Sequence, residues 1–197
     1  MINIAVLVSG GGTNLQALID ATKSGIISSG KIRLVISSSS NAYALTRAKN
    51  ANIDTAVVRY KSANVEQDIL KLLQEYSIDL IVLAGFIHIL SADFVSRYPK
   101  RIINIHPSLI PKFCGDGFYG LRVHQAVLDN HEEFSGATVH YVNQITDGGE
   151  IIMSKIVPVC VNDTAEILQQ RIMEQAEWII LPEATEQVCK LLLNKGE

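Results

Sequence analysis

Three short stretches hold residue types that do chemistry. Ser9-Gly10-Gly11-Gly12-Thr13-Asn14 follows an apolar run and precedes a segment of helical period. A strand-to-helix turn there leaves backbone N–H groups at the positive end of a helix dipole, on the carboxyl edge of a sheet, where an anion binds well. Gly11, Gly12, Thr13 and Asn14 are the candidate anion ligands, although the same glycines also suit a plain tight turn. A dinucleotide site would need a small residue where Leu15 stands and an acid after the next strand, which runs instead into Ser37-Ser38-Ser39-Ser40. A P-loop would need a Gly-Lys-Ser/Thr sequence, and no lysine occurs between Met1 and Thr22. A monophosphate is the simpler guest.

The second stretch is Asn104-Ile105-His106-Pro107-Ser108-Leu109-Ile110-Pro111. Strand alternation puts Asn104 and His106 on one side, and Pro107 biases His106 towards extended geometry. An amide N–H and an imidazole donor suit the oxyanion of a tetrahedral intermediate, and imidazole also moves protons near neutral pH. Third is Asp147, in the turn Thr146-Asp147-Gly148-Gly149. If it meets His106, its carboxylate should raise the histidine pKa and favour the protonated ring.

These residues need a scaffold, and the pattern supplies one. Apolar runs alternate with helical-period segments, which predicts an α/β domain with a doubly wound, mostly parallel sheet covered by helices on both faces. Strands are expected near Asn3–Val8, Lys31–Ile36, Thr55–Val58, Leu80–Leu83 and Arg101–Ile105, with helices at Asn14–Lys23, Tyr43–Ala51, Val65–Tyr76 and Ala92–Tyr98. Thr13, Asn64 and Ser91 suit helix N-caps. The second half differs: Ala137–Val142 and Ile151–Val157 should pair antiparallel, followed by a helix from Thr164 to Lys190 bent or broken near Pro182. Lys112–Leu121, with three glycines among aromatics, reads as a functional loop.

The 197 residues are 48% hydrophobic and 19% charged, with a formal net charge of -3. That balance fits one core-bearing domain over 1–197 and disfavours nucleic acid as a partner. No apolar run nears the roughly 20 residues of a membrane span, and no leader-like segment opens the chain, so a soluble cytoplasmic protein is expected. The three cysteines have no ligand spacing, so neither a disulfide framework nor a metal site is expected.

Taken together, SGGGTNLQALI, LAGFIHILS, INIHPSLIPKF, GATVHYV and DGGEII occur in order at compatible spacing, and the chain resembles the phosphoribosylglycinamide formyltransferases, folate-dependent enzymes of purine synthesis. The resemblance runs from Met1 to about Pro182 and implies the Rossmann-like formyltransferase fold, with residues 1–100 as a phosphate-binding half and 101–197 as a catalytic and folate-binding half. It implies 10-formyltetrahydrofolate as formyl donor and glycinamide ribonucleotide as acceptor. By the same resemblance Asn104, His106 and Asp147 match the catalytic Asn, His and Asp. Gly12, Thr13 and Asn14, beside Gly11, match the phosphate loop, and Glu177 matches a glutamate that contacts the ribonucleotide. Ile87, His88, Ile89, Leu90, Asn143, Gln144, Ile145 and Thr146 match the folate pocket, and the Ile110–Pro111 peptide is expected to be cis. His140 is assigned to strand packing and His124 to a supporting place near the site. The sequence departs from the family at His88 and Asn64, where arginine is common, and in its longer 112–122 loop. A formyltetrahydrofolate hydrolase and a methionyl-tRNA formyltransferase share the triad but carry further domains, and a non-catalytic binding module would leave the triad unexplained. Monomer and homodimer are both compatible with the sequence.

Overall fold

The computed structural model describes residues 1–59 and 64–194. Its elements in chain order are β1 (Ile2–Val8), α1 (Thr13–Ser24), β2 (Gly30–Ser37), α2 (Tyr43–Asn50), β3 (Asp54–Val57), α3 (Val65–Glu75), β4 (Leu80–Leu83), α4 (Ala92–Ser96), β5 (Ile102–His106), α5 (Leu121–Asp129), β6 (Phe134–Tyr141), β7 (Ile151–Pro158), α6 (Ala165–Ile172), a π-helical turn at Met173–Glu177, and α7 (Trp178–Asn194). The strands form one sheet in the order β3-β2-β1-β4-β5-β6-β7. Pairing is parallel from β3 to β5 and antiparallel across β5–β6 and β6–β7.

Burial explains the strand sequences. Central β4 is buried at every position, as is β1 apart from Asn3, so both read as continuous apolar runs. Edge strands β3 and β7 are mostly part-buried or exposed, with only Val157 of β7 buried. One face of the sheet receives α1, α2, α5, α6 and α7, and the other receives α3 and α4, whose Val65, Ile69, Leu73, Phe94 and Val95 pack on Leu7, Ile36 and Ile81. The chain leaves β1 for β2 and β3, then returns to β4 on the opposite side of β1. Strand order therefore reverses between β1 and β4, the position at which sheets of this kind hold a crevice at the carboxyl ends of their strands.

Several local expectations change. Gly12, not Thr13, occupies the N-cap of α1, with φ 73 in the left-handed region that glycine tolerates. Asn64 precedes α3 without a side-chain cap bond, whereas Ser91 caps α4 by accepting from the Phe94 N–H at 3.2 Å. The final helical region is interrupted at Met173–Glu177, ahead of Pro182, which lies inside α7. Helix α5, not anticipated from the sequence, follows the glycine-rich loop. The Ile110–Pro111 peptide is cis, as expected. Among the described residues no helix is long and apolar enough to cross a membrane.

Candidate active site

Asn104 and His106 lie two residues apart at the end of β5, so one strand face presents both. Across the antiparallel register Asn104 faces His140 of β6, and its Nδ2 lies 3.2 Å from His140 Nε2 and donates to Asp147 Oδ1 at 3.4 Å. Asp147 is delivered by the β6–β7 connection. There the Asn143 side chain accepts from the Ile145 N–H at 2.9 Å and donates to the Gly148 carbonyl at 3.1 Å, while Asp147 itself has φ 53. Gly149 is indispensable to this turn, because a Cβ there would sit 1.6 Å from the Tyr141 carbonyl oxygen. The carboxylate ends 3.5 Å from His106 Nδ1 and 3.5 Å from His140 Nε2, and it accepts from the Gly115 N–H at 2.9 Å.

His106 is buried, and its Nε2 lies 2.9 Å from the Phe113 carbonyl oxygen. A carbonyl only accepts, so that nitrogen carries the proton in the neutral ring. Burial pushes the His106 pKa down, and the opposing charge of Asp147 and the bond to Phe113 do not restore it. The Asp147 carboxylate does raise the His106 pKa, as expected, but desolvation outweighs it and the net shift is downward. Burial pushes the Asp147 pKa up, but hydrogen bonds and charge from His140, His106 and the Gly115 N–H more than reverse this, leaving it below the usual range. His124, on α5, is buried, and neither ring nitrogen is hydrogen-bonded to any of the described residues. Burial and the neighbouring His106 hold its pKa down at about 4.

The turn after β1 stands beside this cluster. Ser9 Oγ accepts from the Ser38 hydroxyl at 2.8 Å and the Ile87 N–H at 3.2 Å, tying the loop to the segment after β4. Asn14 Nδ2 donates to Glu177 Oε2 at 2.6 Å, and the Asn14 Oδ1 is buried with no hydrogen-bond partner among the described residues. Burial pushes the Glu177 carboxyl up in pKa, against the effect of the Asn14 bond. The π-helical turn ends on Glu177 and sets it facing α1.

One cavity of about 420 Å³ gathers Asn14, Glu177, Asn104, His106 and Asp147. Its remaining wall includes Ile87, His88, Ile89, Leu90, Asn143, Gln144, Ile145 and Thr146. Ile87, Ile89 and Ile145 are 69%, 64% and 69% exposed, an apolar rim that water covers poorly. Gly11, Gly12 and Thr13 do not line this cavity; Gly11 is exposed, and Thr13 borders a separate groove between α1 and α7. Sequence reasoning missed the Phe113 carbonyl and the Gly115 amide, since backbone groups carry no residue signature. It also undervalued His140, whose strand position concealed its contacts with Asn104 and Asp147.

Residues 2–185 match the family model for formyl transferase. The phosphoribosylglycinamide formyltransferase of Haemophilus influenzae is 45% identical over 186 residues, which cover 92% of this chain and 84% of that protein. The chain belongs to the phosphoribosylglycinamide formyltransferase family. The crystal structure of glycinamide ribonucleotide transformylase 1 from Symbiobacterium toebii superposes on this formyltransferase with a TM-score of 0.88 at 38% identity, covering 96% of this chain and 88% of that one. In the trifunctional purine biosynthetic protein adenosine-3 of Gallus gallus, 39% identical, the matching region is 19% of the whole length. The formyltransferase fold thus occurs both alone and as part of a longer purine-biosynthetic protein.

Proposed function

We propose that this formyltransferase moves the formyl group of 10-formyltetrahydrofolate to the amine of glycinamide ribonucleotide within one domain spanning 1–197, the catalysis resting on Asn104, His106 and Asp147. The observation that carries this reading is the meeting of those three side chains in one cavity, between Asn14 and Glu177 on one side and the apolar rim on the other. The acceptor phosphate goes to the backbone N–H groups of Gly11, Gly12, Thr13 and Asn14. Glu177 and the unsatisfied Asn14 Oδ1 receive ribose hydroxyls. The folate ring system lies against Ile87, His88, Ile89 and Leu90 and the loop from Asn143 to Thr146.

The uncharged acceptor amine attacks the formyl carbon, and negative charge gathers on the formyl oxygen. Asn104 and His106 supply donors for it, and stabilising that charge lowers the barrier more than it aids binding. In this structure those donors are turned on Asp147, His140 and the Phe113 carbonyl. The oxygen must therefore displace them, the Phe113 carbonyl from His106 Nε2 above all. As the carbon–nitrogen bond to folate breaks, the amine's surplus proton passes to the folate nitrogen. His106 and the ionised Asp147 are placed to relay it. Anchoring the phosphate holds the amine in attacking geometry, an advantage water lacks.

Incubation with 10-formyltetrahydrofolate tests the reading. Tetrahydrofolate should appear rapidly only when glycinamide ribonucleotide is present, with formylglycinamide ribonucleotide formed in equal amount. Equally fast release of free formate without acceptor would establish a hydrolase instead.

A further inference from the structure

Helix α2 lies behind the turn that follows β1 and takes hold of two consecutive carbonyls. The Ala44 N–H donates to the Gly10 carbonyl at 3.1 Å, and Arg47 Nε donates to the Gly11 carbonyl at 2.9 Å. Arg47 is itself held in place: its Nη1 donates to Gln16 Oε1 at 3.1 Å, and its guanidinium stacks 5.0 Å from the centre of the Tyr43 ring. Gly12 packs so tightly on α2 that a Cβ there would meet Ala44 Cβ at 2.6 Å.

The geometry of the peptide plane turns these contacts into a statement about the amides. In a trans peptide the N–H points opposite to the C=O of the same plane. Pulling the Gly10 and Gly11 carbonyls towards α2 therefore turns the N–H groups of Gly11 and Gly12 away from it. Neither N–H has a partner among the described residues. A Cβ at Gly10 or Gly11 would meet nothing within 4 Å, so the outer side of the loop is open. Glycines resist peptide rotation weakly, so the loop needs an external hold to keep both donors aimed outward.

We infer that Arg47 is a positioning residue for the acceptor phosphate, fixing the Gly12 amide through the Gly11 carbonyl, so that it selects phosphorylated over unphosphorylated acceptors. The inference rests on the proposed placement of the phosphate. It assigns Arg47 no contact with the reacting atoms.

The test measures binding and turnover of Arg47→Ala and Arg47→Lys, each with glycinamide ribonucleotide and with the corresponding riboside that lacks phosphate. Arg47→Ala should weaken ribonucleotide binding about tenfold or more, the scale of a lost charged hydrogen bond, while kcat at saturation stays within about twofold. The KM for 10-formyltetrahydrofolate and the kcat/KM for the riboside should not move. Arg47→Lys keeps the charge and one donor and should recover part of the loss. Equal losses on both acceptors, or unchanged ribonucleotide affinity, would overturn the inference. Should Arg47→Ala fail to fold, Arg47→Lys on the same two acceptors decides by the same criterion. A wild-type enzyme that treats the two acceptors alike would instead refute the phosphate placement itself.

Discussion

His106 sits between burial, which favours the neutral ring, and the Asp147 carboxylate, which favours the charged one; burial prevails. Below its ordinary pKa of about 6.5 a histidine is mostly charged, and depression of that value extends the neutral form to lower pH. Asp147→Asn removes the influence that raises the pKa, so the acid limb of the kcat profile should move to lower pH as the rate falls. A limb that stays in place in the measured profile would break the proposed pairing. His106→Ala and Asn104→Ala should each lower kcat by about 10² or more with little change in substrate Kd, because the formyl oxygen carries full charge only beyond the ground state. Direct titration of both substrates checks the second half of that statement. The shared face of Asn104 and His106 was legible in the sequence from strand alternation. The sign of the His106 shift was not, because the degree of burial depends on Phe113 and on elements far along the chain.

At the scale of elements, the strands were readable from short runs of Val, Ile and Leu, and the antiparallel β6–β7 pair from its turn residues. Helix α5 was obscured by the three glycines just ahead of it and by its nine-residue length. The wide turn at Met173–Glu177 was hidden because MEQAE carries no residue-type signal for it. The C-terminal helix α7 is fastened by a feature no motif announces. Glu186 accepts from the N–H and hydroxyl of Ser28 at 3.0 and 2.9 Å and from those of Ser29 at 2.9 and 2.9 Å, with Lys190 at 3.3 Å. Burial pushes this carboxyl up, but the hydrogen bonds from Ser29, Ser28 and Lys190 hold it down at about 2. Its folded value is thus below the ordinary 4.5, so its contribution to stability is complete above about pH 4.5 and is lost as pH falls towards 2. Glu186→Gln should cost on the order of 1–3 kcal/mol at neutral pH, and the difference from wild type should shrink near pH 3. Denaturant unfolding at the two pH values measures both.

For the molecule as a whole, the sequence disclosed the doubly wound sheet and the antiparallel change of direction, and the motif order disclosed the family. It did not disclose how unequally the two faces are clad. Among the described residues, five helices cover one face of the sheet, while α3 and the short α4 cover the other. The segment Phe86–Leu90, which forms part of the apolar rim, leads directly into α4. Regions with fewer buried contacts open at lower free energy than the global transition. Amide hydrogens of α3 and α4 should therefore exchange with solvent deuterium sooner than those of α1 and α7. Occupancy of the rim by a folate should slow exchange on the thin face first, well before it is felt across the sheet. On the proposed placement of the folate, the thickly clad side would be the anvil that keeps β5 still, and the thin side the one that yields as the bulky pterin enters and leaves.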